Sequence, residues 1–270
     1  MISNHVSEDA LIGWSGFVGS TLLRQRHFGH SFRATDIQDI CGHSFHTVVC
    51  AGAPAQKWLA NKEPEVDRLN IEKLIQHLES VRCERFVLIS TVDVFKEPVG
   101  VDEQTPIEEQ GLPAYGANRH RLEAFVRHRF ANHLVVRLPG LVGPGLRKNI
   151  IFDLLNDNNV HAVDSRSRFQ FYPMVNLWYD VDIALAAGLR LIHLTAEPLS
   201  VAEVAALGFG KSHAHIVSGP PVTYDIRTCH AQLFGATGNY QYSGRESLQA
   251  VRAYAQSEQR SSRAQWVEAR

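Results

Sequence analysis

Two observations predict an α/β protein built on a doubly wound parallel sheet. Short apolar runs bounded by turn residues alternate with stretches of helical period through the first half of the chain. The runs are nearly continuous in apolar residues, as strands buried on both faces require. Strands alternating with helices in this way imply parallel pairing.

The run Ala10–Trp14, the glycines Gly13, Gly16 and Gly19, and a helical stretch through Leu22 and Leu23 read as strand, tight turn and helix. A second short strand fits Ser31–Thr35, and a buried parallel strand fits Thr47–Ala51, leading into Gly52. The stretch between these two is too short for another strand and helix, so the sheet is expected to be one strand short of the full form. Ile71, Leu74, Ile75 and Leu78 then mark a helix, and Arg85–Thr91 an apolar strand. Leu122, Phe125, Val126 and Phe130 mark the next helix, before a strand at His133–Leu138 and the Pro/Gly loop Pro139–Gly145.

Beyond about residue 148 the alternation loosens, with a helix at Ile150–Leu155, a strand at Phe169–Tyr172 and a helix near Leu177–Leu189. Ser200 with Glu203, and Ser243 with Glu246, have capping-box spacing and predict two late helix starts. The tail from Ser257 has little to bury and is expected to fray.

Lys plus Arg total 27 against 28 Asp plus Glu, a net charge of −1. That balance argues against an electrostatic hold on nucleic acid or an anionic membrane, so the expected partner is a small molecule. The polar start Met1–Asp9 and the lack of an 18-residue apolar run predict a cytoplasmic protein. Cys41, Cys50, Cys83 and Cys229 are widely spaced, without a CxxC pair, and are expected as free thiols. Cys41, His43, His46 and Cys50 imitate a zinc set, but Cys50 falls inside a buried strand, and His213 and His215 lack a third ligand. No metal is expected.

Gly13-Trp14-Ser15-Gly16-Phe17-Val18-Gly19 spaces its glycines G-x-x-G-x-x-G between a strand and a helix. Without Cβ atoms the backbone can approach a pyrophosphate, and the helix N-terminus supplies free N–H groups and a positive dipole end. The expected ligand is therefore NAD or NADP. Asp36 lies where an acidic side chain accepts from adenosine ribose hydroxyls, which favours NAD. Two other readings stand beside it: Arg33 could meet a 2′-phosphate, and Asp36 could cap a helix starting there. The fold class is thus a Rossmann-type doubly wound parallel sheet with a small C-terminal substrate lobe. Residues 1–148 form the dinucleotide-binding domain, 149–256 complete the sheet and form the lobe, and 257–270 are the tail.

With these motifs in order, the sequence resembles the extended short-chain dehydrogenase/reductase family, the nucleotide-sugar epimerases, dehydratases and reductases. The resemblance covers about residues 9–207. It rests on Gly13, Gly16 and Gly19, on the Ala51-Gly52-Ala53 turn, and on Asn70 in the following helix. Leu88–Phe95 looks like the active-site strand, Tyr115-Gly116-Ala117-Asn118-Arg119 with Glu123 like the Tyr-Gly-x-x-Lys helix, and Arg137–Gly145 like the Arg-x-x-x-Val-Tyr-Gly-Pro-Gly loop.

The resemblance implies that Tyr115 is the acid/base and that Thr91 hydrogen-bonds the reacting oxygen. It assigns the cofactor to Gly13, Gly16, Phe17, Val18, Gly19, Asp36, Ala51, Gly52, Ala53, Asn70, Tyr115, Arg119 and Leu138, and the substrate to Asp93 and Asn149. Asn149 reads equally as a helix N-cap. The departure is Arg119, where the family has a lysine that lowers the tyrosine pKa and holds the nicotinamide ribose. Spaced four residues apart, Arg119 and Tyr115 share a helical face, so Arg119 is expected to face both the phenol and the ribose. The implied activity is that of an NAD(P)-dependent oxidoreductase, epimerase or dehydratase on a sugar or nucleotide-sugar, with homodimerisation as a family trait. The alternative is a catalytically silent dinucleotide-binding sensor or scaffold.

Overall fold

The computed structural model describes residues 8–260. Most of the polar start Met1–Asp9 and of the tail beyond Ser257 lies outside the described residues.

β1 (Ala10–Ile12) turns into α1 (Phe17–Gln25), and β2 (His30–Phe32) returns beside it. β3 (Ser44–Cys50) is followed by α2 (Lys57–Lys62) and α3 (Pro64–Leu78), and β4 (Arg82–Thr91) by a 3-10 turn, Val92–Val94. β5 (Val99–Val101), α4 (Ala114–Arg129), β6 (His133–Leu138) and β7 (Gly140–Val142) come next. They are followed by α5 (Ile150–Asn156), β8 (Arg168–Phe169), β9 (Phe171–Pro173), α6 (Leu177–Ala186) and β10 (Leu191–His193). The chain closes with β11 (Leu199–Ser200), α7 (Val201–Glu203) running into a π turn to Gly208, β12 (Asp225–Ile226) and α8 (Gly244–Ser257).

The main sheet has six strands in the order β10-β6-β4-β3-β1-β2. All its pairings are parallel. Between Phe32 and Ser44 the only regular element is the 3-10 turn Ile37–Ile40, so the extra strand and helix of a longer form are missing there. β2 stops at Phe32, short of the expected Thr35, because the chain turns at Arg33–Asp36, where the Asp36 amide donates to the Arg33 carbonyl at 3.1 Å. β3 starts earlier than expected, at Ser44, because pairing with β4 runs back to Ser44 opposite Arg82.

Ile71, Leu74 and Leu78 of α3 and Leu122 and Val126 of α4 cover one face of the sheet, packing on Val48, Phe86 and Leu88. Leu22 of α1 and Leu177, Val181 and Ala184 of α6 cover the other, over Leu11, Val49 and Val136. A separate core joins Val142, Ile151, Leu154, Val204 and Val251 around α5 and α8. The expected single strand Phe169–Tyr172 is two: β8 pairs antiparallel with β11, and β9 pairs parallel with β7. Gln170 breaks it, its buried amide donating to the carbonyls of Ala196 and Ile226 and accepting from the Ile226 N–H. Both capping boxes form, at Ser200–Glu203 and Ser243–Glu246. No helix among the described residues is long and apolar enough to cross a membrane.

Candidate active site

The carboxyl ends of the parallel strands gather the motif residues: Gly13 follows β1, Ala51 follows β3, Thr91 ends β4 and Leu138 ends β6 opposite Thr91. In open sheets of this kind that edge is where ligands sit. Gly13 has φ +85°, and a Cβ on it would lie 2.4 Å from the Ala51 carbonyl oxygen. A Cβ on Gly19 would lie 2.1 Å from the Gly13 carbonyl oxygen, so both are glycine because backbone packs on backbone. Gly16 is different. It is exposed, and a Cβ there would meet only the Gly13 oxygen, at 3.5 Å. Gly16 is the N-cap of α1 and offers no side chain, so the first N–H groups of the helix are left for another acceptor. Phe17 and Val18 anchor the turn by packing on the core beneath it.

The Asp36 carboxylate accepts the Arg33 amide at 2.6 Å, and the Arg33 Nε lies 3.6 Å from it. Asp36 occupies the N-cap position of the 3-10 turn without a side-chain capping bond. The Arg33 guanidinium reaches over the glycine loop, 5.6 Å from the Trp14 ring centroid.

The start of α4 brings the Tyr115 phenol into the neighbourhood of Thr91, whose hydroxyl is among the groups acting on its ionisation. Gly116 permits this, because a Cβ on it would stand 2.1 Å from the Asp93 carbonyl oxygen. The start of α4 therefore presses onto the turn after β4. Asn61 of α2 fixes it there, accepting the Tyr115 N–H at 2.9 Å. Tyr115 is 9% exposed. Burial raises its pKa, as does Asp93, while Arg119, Thr91 and Lys57 pull it back.

Asp93 is clasped from two distant elements. Lys57 Nζ donates to its Oδ1 at 2.7 Å and to the Tyr224 hydroxyl at 2.9 Å, and the Tyr224 hydroxyl donates to the same Oδ1 at 2.9 Å. On its other oxygen the Thr91 hydroxyl donates at 3.3 Å. Burial works against the Lys57 charge, but Asp93 and Tyr224 outweigh it and hold the ammonium above the ordinary lysine range.

Arg119 packs on Tyr115, as its spacing predicts, but its donors go elsewhere. They reach Asp67 of α3 and the Pro54 carbonyl, with a third contact of 3.4 Å to the Tyr115 carbonyl. Both members of the Arg119–Asp67 pair are buried, and Asn118 also donates to Asp67, at 2.8 Å. Next to Pro54, the Ala55 carbonyl accepts from Lys148 at 2.5 Å.

No protein-family model matches the chain, and no curated protein matches it by sequence. Solved structures do. A UDP-galactose 4-epimerase superposes with a TM-score of 0.68 at 17% identity, over 92% of this chain and 97% of its own. The chain has the extended short-chain dehydrogenase/reductase fold. A dTDP-4-dehydrorhamnose reductase from Bacillus anthracis in complex with NADP matches it with TM-score 0.68, 16% identity and coverage of 93% and 99%. A UDP-glucuronic acid 4-epimerase from Bacillus cereus in complex with NAD does so with TM-score 0.68, 15% identity and coverage of 92% and 97%.

Within this short-chain dehydrogenase/reductase fold, several motif residues serve as framework. Asn149 caps α5: its carbonyl oxygen accepts the Ile151 N–H at 2.9 Å and its amide donates to the Leu141 carbonyl at 2.8 Å. Asn70 is exposed on α3, while Asp67, one turn earlier, takes the buried place against Arg119. Ala51, Gly52 and Ala53 are half-buried beneath Gly13, and Leu138 is core. Glu123 and Arg137 form a buried two-point pair at 3.0 and 2.7 Å, joined by Ser90 at 2.6 Å. Burial opposes the charge, but His120, Arg137 and Ser90 hold the Glu123 carboxyl down at about 2. This pair ties α4 to β4 and β6 behind the site. Cys50 is buried in β3, its thiol pushed up to about 11 by burial. Lys57, Asp67 and Tyr224 were not marked by any motif.

Proposed function

We propose that the chain is an NAD(P)-dependent oxidoreductase, epimerase or dehydratase acting on a nucleotide-sugar. The observation that carries this is the packing of the start of α4, with Tyr115, onto the turn that follows Thr91, at the same sheet edge as the glycine turn. The turn fits a dinucleotide: Gly16 is open above it, and α1 begins without a side-chain cap. Bound nicotinamide would supply the hydride acceptor or donor. The residues of this chain then do the rest. Gly13 and Gly19 keep the turn tight, Thr91 orients the reacting oxygen, and Tyr115 exchanges its proton. Similar structures named as a dTDP-4-dehydrorhamnose reductase with NADP and a UDP-glucuronic acid 4-epimerase with NAD support this cofactor and substrate class.

The test uses the purified chain with NAD and NADP against a panel of UDP- and dTDP-hexoses, following nicotinamide absorbance and the sugar products by mass spectrometry. A converted sugar, with Tyr115→Phe abolishing turnover while cofactor affinity stays within a few-fold, supports the reading. Cofactor binding without conversion of any sugar, in wild type and Tyr115→Phe alike, replaces it with the silent sensor.

A further inference from the structure

The family position for the active-site cation is occupied by Arg119, whose two terminal nitrogens donate to Asp67 and the Pro54 carbonyl while its buried Nε has no partner among the described residues. Another cation nevertheless reaches the site. Lys57 begins α2, three residues after Pro54, and its ammonium sits against Asp93, which accepts from the Thr91 hydroxyl and whose carbonyl packs on Gly116, next to Tyr115. The segment that delivers it is held by carbonyls. Arg119 takes Pro54, Lys148 takes Ala55, and Asn61 at the far end of α2 accepts from the first turn of α4.

We propose that Lys57 is the positioning residue whose charge offsets Asp93 beside Tyr115, and that Arg119 has been turned from the ribose to anchoring the segment that carries Lys57. The inference rests on Tyr115 being the acid/base of the proposed reaction. Its physical content is a balance of charges around one phenol. Arg119 faces it from α4 itself, Asp93 from the turn after β4 and Lys57 from α2, while Asp67 of α3 neutralises Arg119 from behind. Tyr224 closes the group from the segment before β12, sharing Asp93 with Lys57. With Arg119 paired to Asp67, the Asp93 carboxylate would oppose ionisation of Tyr115 if Lys57 were absent.

The test reads the phenol directly and needs neither cofactor nor substrate. The protein is labelled with 3-fluorotyrosine, and the Tyr115 fluorine resonance is assigned by its loss in Tyr115→Phe. It is then titrated in wild type, Lys57→Met, Lys57→Arg and the double variant Lys57→Met with Asp93→Asn. The Lys57 side chain is 46% exposed, so the methionine variant is expected to fold. The expected result is a midpoint about one pH unit higher in Lys57→Met, recovered in Lys57→Arg and largely recovered in the double variant. The proposal is overturned if wild type and Lys57→Met behave alike, whether by titrating at the same pH or by not titrating before unfolding. It is also overturned if Lys57→Arg fails to recover the midpoint. Turnover that survives Tyr115→Phe would instead overturn the acid/base reading, so the two failures are separate.

Discussion

The guanidinium carbon of Arg119 lies 4.0 Å from the ring centroid of Tyr115, one helical turn earlier on α4. A cation over an aromatic face is attracted by the ring quadrupole, and here it is also tied to Asp67 away from water. Removing one partner of such a pair strands the other charge. Arg119→Ala should therefore destabilise the fold by about 3–5 kcal/mol, and Arg119→Ala with Asp67→Asn by clearly less. Urea unfolding of the two variants checks this. Equal losses would mean the buried carboxylate is not what makes the single variant unstable.

Gly16 and Gly19 should respond oppositely to a side chain. Gly19→Ala drives a Cβ to 2.1 Å from the Gly13 carbonyl oxygen and should lower the melting temperature. At Gly16 a Cβ meets nothing closer than the Gly13 oxygen at 3.5 Å and the position is exposed, so Gly16→Val should fold while NAD and NADP affinity falls at least about tenfold. Thermal melts with calorimetry distinguish them. Unchanged cofactor affinity in a folded Gly16→Val would remove the dinucleotide from this turn.

Cofactor choice turns on the Arg33–Asp36 contact, because the carboxylate both neutralises the guanidinium and accepts its backbone N–H. Asp36→Ala frees Arg33 for a 2′-phosphate and removes a repelling charge, so NADP should gain on NAD by about tenfold. Arg33→Ala should move the ratio the other way. Calorimetry with both nucleotides at fixed ionic strength is the measurement, and an unchanged ratio in both variants would place the adenosine ribose elsewhere.

Asp180 is fully buried on α6 and accepts the Tyr172 hydroxyl at 2.5 Å and the Tyr242 hydroxyl at 2.9 Å. Burial outweighs these two donors and lifts its pKa to about 6. The folded value lies above the unfolded one, so the stability it contributes is present below about pH 4 and is lost as pH rises through about 6. Across that window the wild type should lose up to about 3 kcal/mol relative to Asp180→Asn. Urea unfolding at stepped pH follows the difference. A difference that stays constant with pH would mean that Asp180 ionises freely in the folded state.

Local chemistry is legible along the chain without any knowledge of the packing. Gly13 and Gly19, between an apolar run and a helical period, mark a tight strand-to-helix turn, because only glycine permits that backbone packing. Ser200 with Glu203 and Ser243 with Glu246 fixed two helix starts, since a capping box needs only residues three apart. The same locality put Arg119 on the face of Tyr115. Tertiary structure decided where that face's charge goes. Asp67 lies 52 positions from Arg119, and Lys57 and Tyr224 lie 36 and 131 positions from Asp93, distances over which no periodicity speaks. It likewise split Phe169–Tyr172 into two strands, because Gln170 finds its partners at Ala196 and Ile226. A buried charge or amide must be paired, and the partner that satisfies it is whichever group the packed chain brings within reach.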